Sequence, residues 1–255
     1  MTAFALPPIH SPRGGWSFTL YPDAGEGGGT WRSAKPRASN YVAKGSAADP
    51  ERARQEAGRR ARSRLRRYCA ANRLSRLGTL TYRGDGEHDP ARIRADLGAF
   101  FRELRSQLGG QPLPYAWVPE WHKSGHGLHA HFAVGRYIKR SQIEAAWPHG
   151  FVHIKLLGGL PTGTTSLGEA RRAGGYLSKY VAKSFGDSRF TEFGMHRYDV
   201  AQGFAPVSAS ITGQSSANVL AQASLVMAGR PSTLWTSAEA DDWQAPPAIW
   251  AQWGA

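Results

Sequence analysis

The stretch YAWVPEWHKSGHGLHAHFAVG, residues 115–135, predicts two antiparallel strands joined by a short polar turn. Two histidines, His129 and His131, stand one residue apart in the second strand, which is otherwise apolar. Because successive side chains of a strand point to opposite faces, the two imidazoles share one face. We expect that face to be exposed, with the opposite face formed by Leu128, Ala130 and Phe132.

Segments with regular hydrophobic spacing lie on both sides of this hairpin. Strands and helices alternate in the order β-α-β-β-α-β-α, which predicts an α+β fold with a ferredoxin/RRM-like antiparallel sheet and helices on one side. The flanking segments are RLGTLTY (76–82, strand), DPARIRADLGAFFRELRSQLGG (89–110, helix), SQIEAAWP (141–148, helix), FVHIKLL (151–157, strand) and SLGEARRAGGYLSKYVAKSFG (166–186, helix).

The chain has the composition of a globular protein but an unusually high positive charge. Of its 255 residues 41% are hydrophobic and 20% are charged, and the formal net charge is +13. A charge of this sign predicts a polyanionic partner, with nucleic acid ahead of a membrane. The single cysteine, Cys69, excludes an intrachain disulfide and a cysteine-based zinc finger. With no signal-peptide pattern and no long apolar stretch, we expect a soluble cytoplasmic protein that does not enter a membrane.

Four regions are predicted along the chain. Residues 1–48 form a flexible Gly/Pro-rich arm, 49–75 a basic helix that contacts DNA, 76–186 the domain with the sheet, and 187–255 a C-terminal extension. The basic helix has few acidic residues, which favours a face that follows phosphates over an ordinary solvated face. Its candidate DNA-binding residues are Arg59, Arg60, Arg62, Arg64, Arg66 and Arg67.

The hairpin also carries a carboxylate that its turn brings opposite the histidines. Alone, the pair His129 and His131 is more often a hydrogen-bonded or surface pair than a metal site. With Glu120 added, two imidazoles and a carboxylate with open positions suit Mg²⁺ or Mn²⁺, whereas structural zinc prefers four closed ligands. We consider His122 a reserve ligand, and we interpret three further histidines as structural: His126, His149 and His153.

The segment YLSKYVAK, residues 176–183, contains the pattern Tyr-x-x-Lys twice. Tyr176 and Tyr180 lie four residues apart on a predicted helix and therefore share a face. Such spacing usually reflects aromatic packing of an amphipathic helix. The preceding pair of glycines, residues 174–175, disfavours that explanation, since glycine lets a substrate strand approach the backbone closely. The two lysines of the pattern are Lys179 and Lys183.

Three motifs together resemble those of the HUH endonucleases, and in particular the two-tyrosine rolling-circle replication initiators of bacteriophages and plasmids. They are LGTLTY (77–82), GLHAHF (127–132) and YLSKYVAK (176–183), and the resemblance covers about residues 76–186. It implies that His129 and His131 bind a divalent metal with Glu120 as third ligand, and that the nucleophiles are Tyr176 and Tyr180. The small residue Ala130 departs from the family, which favours a bulkier residue there.

The resemblance implies a metal-assisted attack by tyrosine on single-stranded DNA at a replication origin, leaving a 5′-phosphotyrosine and a free 3′-OH. The phenolate needs nearby positive charge, for which the metal, Lys179 and Lys183 are candidates. The sequence contains no G-x-x-x-x-G-K-[ST] loop, so we expect a helicase and a polymerase of the host to act as partners. Two alternatives stay open: a two-tyrosine transposase, and a non-catalytic module that binds single-stranded nucleic acid.

Overall fold

The computed structural model describes residues 14–34, 43, 46–192 and 196–254. It confirms the predicted α+β class and contains two antiparallel sheets. The chain divides into two compact units: a split unit made of residues 1–43 and 206–255, and a central unit of residues 44–205. No helix in the described ranges is long and apolar enough to cross a bilayer.

The described elements follow the chain in this order: β1 (Gly15–Tyr21), β2 (Glu26–Arg32), α1 (Pro50–Ala71), β3 (Arg76–Tyr82), α2 (Pro90–Gln107), β4 (Tyr115–Trp121), β5 (Leu128–Val134), α3 (Arg140–Ala146), β6 (Gly150–Lys155), α4 (Ser166–Phe185), α5 (Arg189–Glu192), β7 (Asp199–Val200), β8 (Ala209–Gly213), α6 (Ser216–Val226), β9 (Thr233–Thr236) and β10 (Ala248–Gln252). The predicted order β-α-β-β-α-β-α is therefore confirmed from β3 to α4. Helices α1 and α2 both begin with Pro after an aspartate whose side chain accepts a backbone hydrogen bond, as expected of a helix start.

The central sheet has the strand order β6-β3-β5-β4-β7, with every pair antiparallel. Register places Glu120 of β4 opposite His129 of β5, and Thr79 of β3 opposite His131. Since directly opposed residues of an antiparallel pair share a face, the hairpin brings the carboxylate to the histidines as predicted.

Helices α2 and α3 cover one face of the central sheet. Leu97, Phe100 and Leu104 of α2 follow helical spacing and pack with Phe132 of β5 in the larger core of this unit. Rings of Phe100 and Phe132 meet edge to face at 5.6 Å. This face accounts for the helices that we predicted on one side.

The opposite face is covered as well, so the prediction of helices on one side only is wrong. A second core joins Leu65 of α1 and Leu177 of α4 to Val118 and Ala133 of the sheet. The cause lies in β5, which is buried along its whole length and therefore has no solvent face. Consequently the histidine face is not exposed as we expected.

Gly174 of α4 lies where α1 and α4 come closest. A Cβ atom at this position would lie 3.0 Å from Cβ of Cys69 and 3.1 Å from Cα of Arg66, whereas a Cβ at Gly175 would have nothing within 4 Å. The structure thus explains Gly174 by helix packing, and the close approach of a substrate strand that we predicted for this glycine is wrong.

This difference between neighbours predicts opposite effects on stability. Gly174→Leu should lower the melting temperature by about 5–10 °C, because overpacking costs about 1–3 kcal/mol in a protein of this size. Gly175→Leu is the matched control and should leave it unchanged or slightly higher, since glycine inside a helix costs about 1 kcal/mol relative to alanine. Thermal unfolding followed by circular dichroism measures both, and equal melting temperatures would contradict this account of Gly174.

The split unit forms a second sheet with the order β8-β1-β2-β10-β9. Residues 15–32, predicted as part of a flexible arm, are two of its strands, so the arm is wrong there. The glycines of β2 have a packing role: a Cβ at Gly27 would lie 2.4 Å from the ring of Phe18, and one at Gly29 would lie 2.9 Å from Cα of the same residue. The rest of the predicted arm includes residues 1–13, 35–42 and 44–45, which lie outside the described residues.

The predicted C-terminal extension, residues 187–255, is divided between the two units. Strand β7 adds to the central sheet beside β4, while residues from 206 onward belong to the split unit. There Val219 and Ala223 of α6 pack with Phe18 and Ile211 of the second sheet. The Trp-rich end thus contributes strands, β9 and β10, to a folded unit.

A candidate metal and tyrosine site

Glu120, His129 and His131 bring their ligand atoms to one place on the central sheet. Oε2 of Glu120 lies 3.1 Å from Nε2 of His129 and 2.9 Å from Nε2 of His131, and the two Nε2 atoms are 3.1 Å apart. The histidines are 7% and 6% exposed. Among the described residues these three form a group that could hold a metal ion.

The spacing of the three donor atoms fits a hard divalent cation. Two ligands about 2.1 Å from an octahedral ion and at right angles are about 3.0 Å apart. The triangle of donors therefore matches one face of an octahedron, and the three remaining positions would be open to water and substrate. This donor set of two nitrogens and one oxygen suits Mg²⁺ or Mn²⁺.

The neighbours of the histidines orient His131 in particular. Oγ1 of Thr79 lies 2.9 Å from Nδ1 of His131, and a proton on Nδ1 leaves the lone pair of Nε2 directed at Glu120 and His129. Histidines that bind metals generally use their second nitrogen in this way. Nδ1 of His129 is buried and has no hydrogen-bond partner within the described ranges.

The charge states of the cluster also favour a cation. Burial alone would raise the pKa of Glu120, but hydrogen bonds from His129, His131 and Lys183 outweigh it and hold that pKa well below its usual range. Burial lowers the pKa of His131. An ionised carboxylate and a neutral imidazole are the forms that bind metals.

Helix α4 places both tyrosines beside this cluster. The ring of Tyr180 stacks on that of His131 with centroids 3.7 Å apart, and the ring of Tyr176 stands perpendicular to His131 at 6.2 Å. Oη of Tyr180 donates to Oη of Tyr176 over 2.6 Å. Both tyrosines are half-buried, and their hydroxyls therefore lie together at the edge of the possible metal centre.

The two hydroxyls differ in their surroundings. Burial raises the pKa of Tyr180, and its hydrogen bond to Tyr176 and the charge of Glu120 raise it further. A phenol that donates a hydrogen bond keeps its proton, and the phenol that accepts it is helped toward the phenolate. This arrangement favours Tyr176 over Tyr180 as the hydroxyl that loses its proton first.

The lysines of the repeated motif have different places. Nζ of Lys183 lies 2.8 Å from Oε1 of Glu120 and 4.7 Å from the centroid of the Tyr180 ring, so Lys183 is part of the site as predicted. Lys179 is exposed, and no described contact joins it to either tyrosine. The cation near Tyr176 is instead Lys155 of β6, whose Nζ lies 5.7 Å from the ring centroid.

Sequence reasoning missed Lys155 because β6 and α4 are separated by a loop of ten residues, 156–165. The alternation of β6 held the necessary signal. His153 pairs with Thr79, so Lys155, two residues later, lies on the face of His131 and the tyrosines.

The remaining histidines surround the cluster without joining it. His122 is the nearest, with its ring centroid 5.4 Å from that of His129, but Nδ1 lies 2.6 Å from Oγ of Ser124. Nε2 of His126 contacts the carbonyl of Tyr82 at 2.9 Å, as a structural residue would. His149 packs against Trp147, while His153 is exposed, and neither contacts the proposed ligands.

The basic helix α1 lies on the same face of the sheet as the site. From residue 57 to 71 it carries six arginines and no acidic residue. Arg59, Arg64 and Arg66 are exposed and have no ion-pair partner in the part of the chain that is described. Arg60 is also exposed but lies 3.7 Å from Glu56, and the half-buried pair Arg62 and Arg67 bonds within the helix. Three of the six predicted arginines are thus fully available to phosphates.

A family model described as replication-associated protein, of the ORF2 type, matches residues 75–185. That match supports the role of a replication initiator. It covers 111 of the 255 residues and extends from the start of β3 to the end of α4, so it includes the three proposed ligands and both tyrosines. Comparison with curated proteins found no match, and comparison with solved structures found none either.

Proposed function

We propose that the protein starts DNA replication by cutting one strand at an origin with a tyrosine and later rejoining it. The observation that carries this proposal is the stacking of Tyr180 on His131 with the hydroxyl of Tyr176 2.6 Å from that of Tyr180. Two tyrosyl hydroxyls beside a cluster of metal-binding groups suit covalent catalysis on a phosphodiester. The match to a replication-associated family supports an origin as the place of the reaction.

In the proposed step the hydroxyl of Tyr176 loses its proton and its oxygen forms a bond to phosphorus. The bond between phosphorus and the 3′ oxygen breaks, and that oxygen takes up a proton as the free 3′-OH. The product is a 5′-phosphotyrosine. Because one phosphoester replaces another, the bond energy is conserved and the reverse reaction can rejoin a strand without ATP.

The residues around the tyrosines have separate roles in this step. A Mg²⁺ or Mn²⁺ held by Glu120, His129 and His131 would supply positive charge to the phosphate oxygens. Lys183 holds the carboxylate of Glu120 in place through its 2.8 Å contact. Lys155, beside the ring of Tyr176, adds positive charge that favours the phenolate and attracts the strand.

Tyr180 would perform a second transfer. Its hydroxyl hydrogen-bonds to that of Tyr176, so a small shift of the strand would bring a second phosphate to it. Two successive transfers would release a displaced strand as a circle while a new round begins. A two-tyrosine transposase would use the same residues on transposon ends, but the replication-associated family match favours the initiator. A host helicase and polymerase would complete the replication machinery.

The proposal is tested by looking for the covalent product. Labelled single-stranded oligonucleotides that tile the parent replicon are incubated with the protein and Mn²⁺, then separated under denaturing conditions. We expect one oligonucleotide to give a protein–DNA adduct, and EDTA to prevent it. Binding without any adduct across the whole set would leave the non-catalytic binding module as the better explanation.

The exposed arginines of α1 give a separate prediction. Replacing Arg59, Arg64 and Arg66 together by glutamine should weaken binding to all single-stranded sequences alike. The slope of log affinity against log salt should fall by about 2, since each phosphate contact contributes about 0.7. The matched control replaces Arg102 and Arg105, exposed on α2 on the other face of the sheet, and should leave the slope unchanged. An unchanged slope in the α1 variant would assign this helix to packing alone.

A further inference from the structure

A cavity of about 420 Å³ lies at one end of the central sheet. It is formed where β3 begins and where β5 and β6 end, while the paired residues Glu120 and His129 stand near the other end. Apolar side chains make up most of its lining, among them Leu77, Val134, Ile154 and Leu160. Its volume is within the range of pockets that bind small ligands.

Basic residues surround this apolar cavity. Arg76, Arg136 and Lys155 line it, are exposed, and have no ion-pair partner among the residues described. Arg140 also lines it but lies 2.7 Å from Glu144, and the only acidic residue of the lining is Glu169. An apolar interior with a cationic rim suits a ligand that has an uncharged ring system and a phosphate.

An aromatic side chain stands at the same rim. Tyr137 lines the cavity and is 71% exposed, although the neighbouring Ile138 is buried. Exposed aromatic rings next to positive charge are the usual platforms on which proteins stack the bases of single-stranded nucleic acid.

Lys155 links the cavity to the tyrosines. It belongs to the lining, and its Nζ also lies 5.7 Å from the centroid of the Tyr176 ring. A strand whose phosphate is held at Tyr176 would therefore pass Lys155 and reach the cavity with a nearby nucleotide.

We infer that this cavity binds the base of an unpaired nucleotide close to the phosphate that is cut. The inference rests on the proposed function for the identity of the strand. The base would enter the apolar interior and stack against Tyr137, while Arg76 and Arg136 would contact its phosphates. The site would thus select a strand by an extruded base as well as by charge.

The first test measures binding in EDTA, where no cutting takes place. The probes are a short oligothymidylate, the matching oligoadenylate and oligocytidylate, and an abasic strand with the same number of phosphates. We expect the wild-type protein to bind at least one base-containing strand about tenfold more tightly than the abasic strand. Leu160→Trp, which fills the cavity, should remove that preference and keep the affinity for the abasic strand.

Leu225→Trp on α6 is the matched control, because Leu225 is 82% exposed and lies in the split unit, and it should bind like wild type. A second test uses the wild-type protein and strands with 5-iodouracil at single positions. Ultraviolet light should crosslink one position to Tyr137, which peptide mapping identifies. This test does not depend on the folding of any variant.

Each outcome separates the cavity from the nicking reaction. Equal affinities for base-containing and abasic strands would overturn the inference, and so would crosslinks only at other residues. A folded Leu160→Trp protein with an unchanged base preference would also overturn it and leave the cavity to a protein partner. If the base preference depends on the cavity but no covalent adduct forms, the base site stands and the proposed nicking function fails.

Discussion

Replacing Tyr176 by phenylalanine is expected to abolish the first cleavage, lowering its rate by about a thousandfold or more, while DNA binding stays unchanged. The substitution removes one oxygen atom, which is the proposed nucleophile, and keeps the ring that packs near His131. The rate is measured as formation of the covalent adduct with a labelled oligonucleotide, and affinity is measured in parallel by fluorescence anisotropy.

Tyr180→Phe is the matched control for this variant. It should retain the first cleavage and impair the transfer that ends a round, because its hydroxyl is the one whose pKa is raised by burial and by its neighbour. Peptide mapping of the adduct identifies the nucleophile. An adduct on Tyr180 alone would reverse the order of the two tyrosines, and an adduct on neither would rule out the mechanism.

Removing either histidine of the cluster should reduce cleavage by more than about a hundredfold, since losing even an outer partner of a metal ligand costs about ten- to a hundredfold. We choose His129→Gln and His131→Gln because both positions are buried, and alanine would add a cavity to the loss of the ligand. Calorimetric titration with Mn²⁺ should show a loss of binding in both variants. Glu120→Ala should weaken binding less completely, as His122 or water can substitute.

His153→Gln serves as the control for the histidine variants. Its imidazole is exposed and makes no contact with the three proposed ligands, so metal affinity and cleavage should equal those of the wild type. The metal assignment would be wrong if cleavage proceeded undiminished in EDTA. Undiminished cleavage by the double variant of His129 and His131 would be equally decisive.

The local part of the fold and of the site could be predicted because it depends on short-range pattern. Alternation along 115–135 predicts the hairpin, and a hairpin with a short turn leaves little choice of register, so Glu120 and His129 come opposite each other. Helical spacing likewise puts Tyr176 and Tyr180 on one face. The structure brings these two local features together through the packing of α4 on the sheet.

What escaped prediction depends on contacts between distant segments. The charge of α1 concealed its apolar stripe of Leu65, Tyr68 and Cys69, and therefore its place on the second face of the sheet. Gly174 looked like a gap for substrate because its neighbour in space, Arg66, is more than a hundred residues earlier in the chain. The glycines of β2 resemble a flexible arm in composition, since only the ring of Phe18 across the sheet explains them.

The sheet of the split unit has a consequence for the protein on the ribosome. Thr30 of β2 pairs with Ala248 of β10, 218 residues later in the chain. At about 5–20 residues per second, β2 waits about 10–40 s for this partner to be synthesised, while the central unit can fold by itself. Throughout that wait one edge of β2 is unpaired and could associate with other nascent chains. A strand of sequence EGGGTWR has little tendency to pair with a wrong partner, so poverty in strand-forming residues suits the strand whose neighbour arrives last.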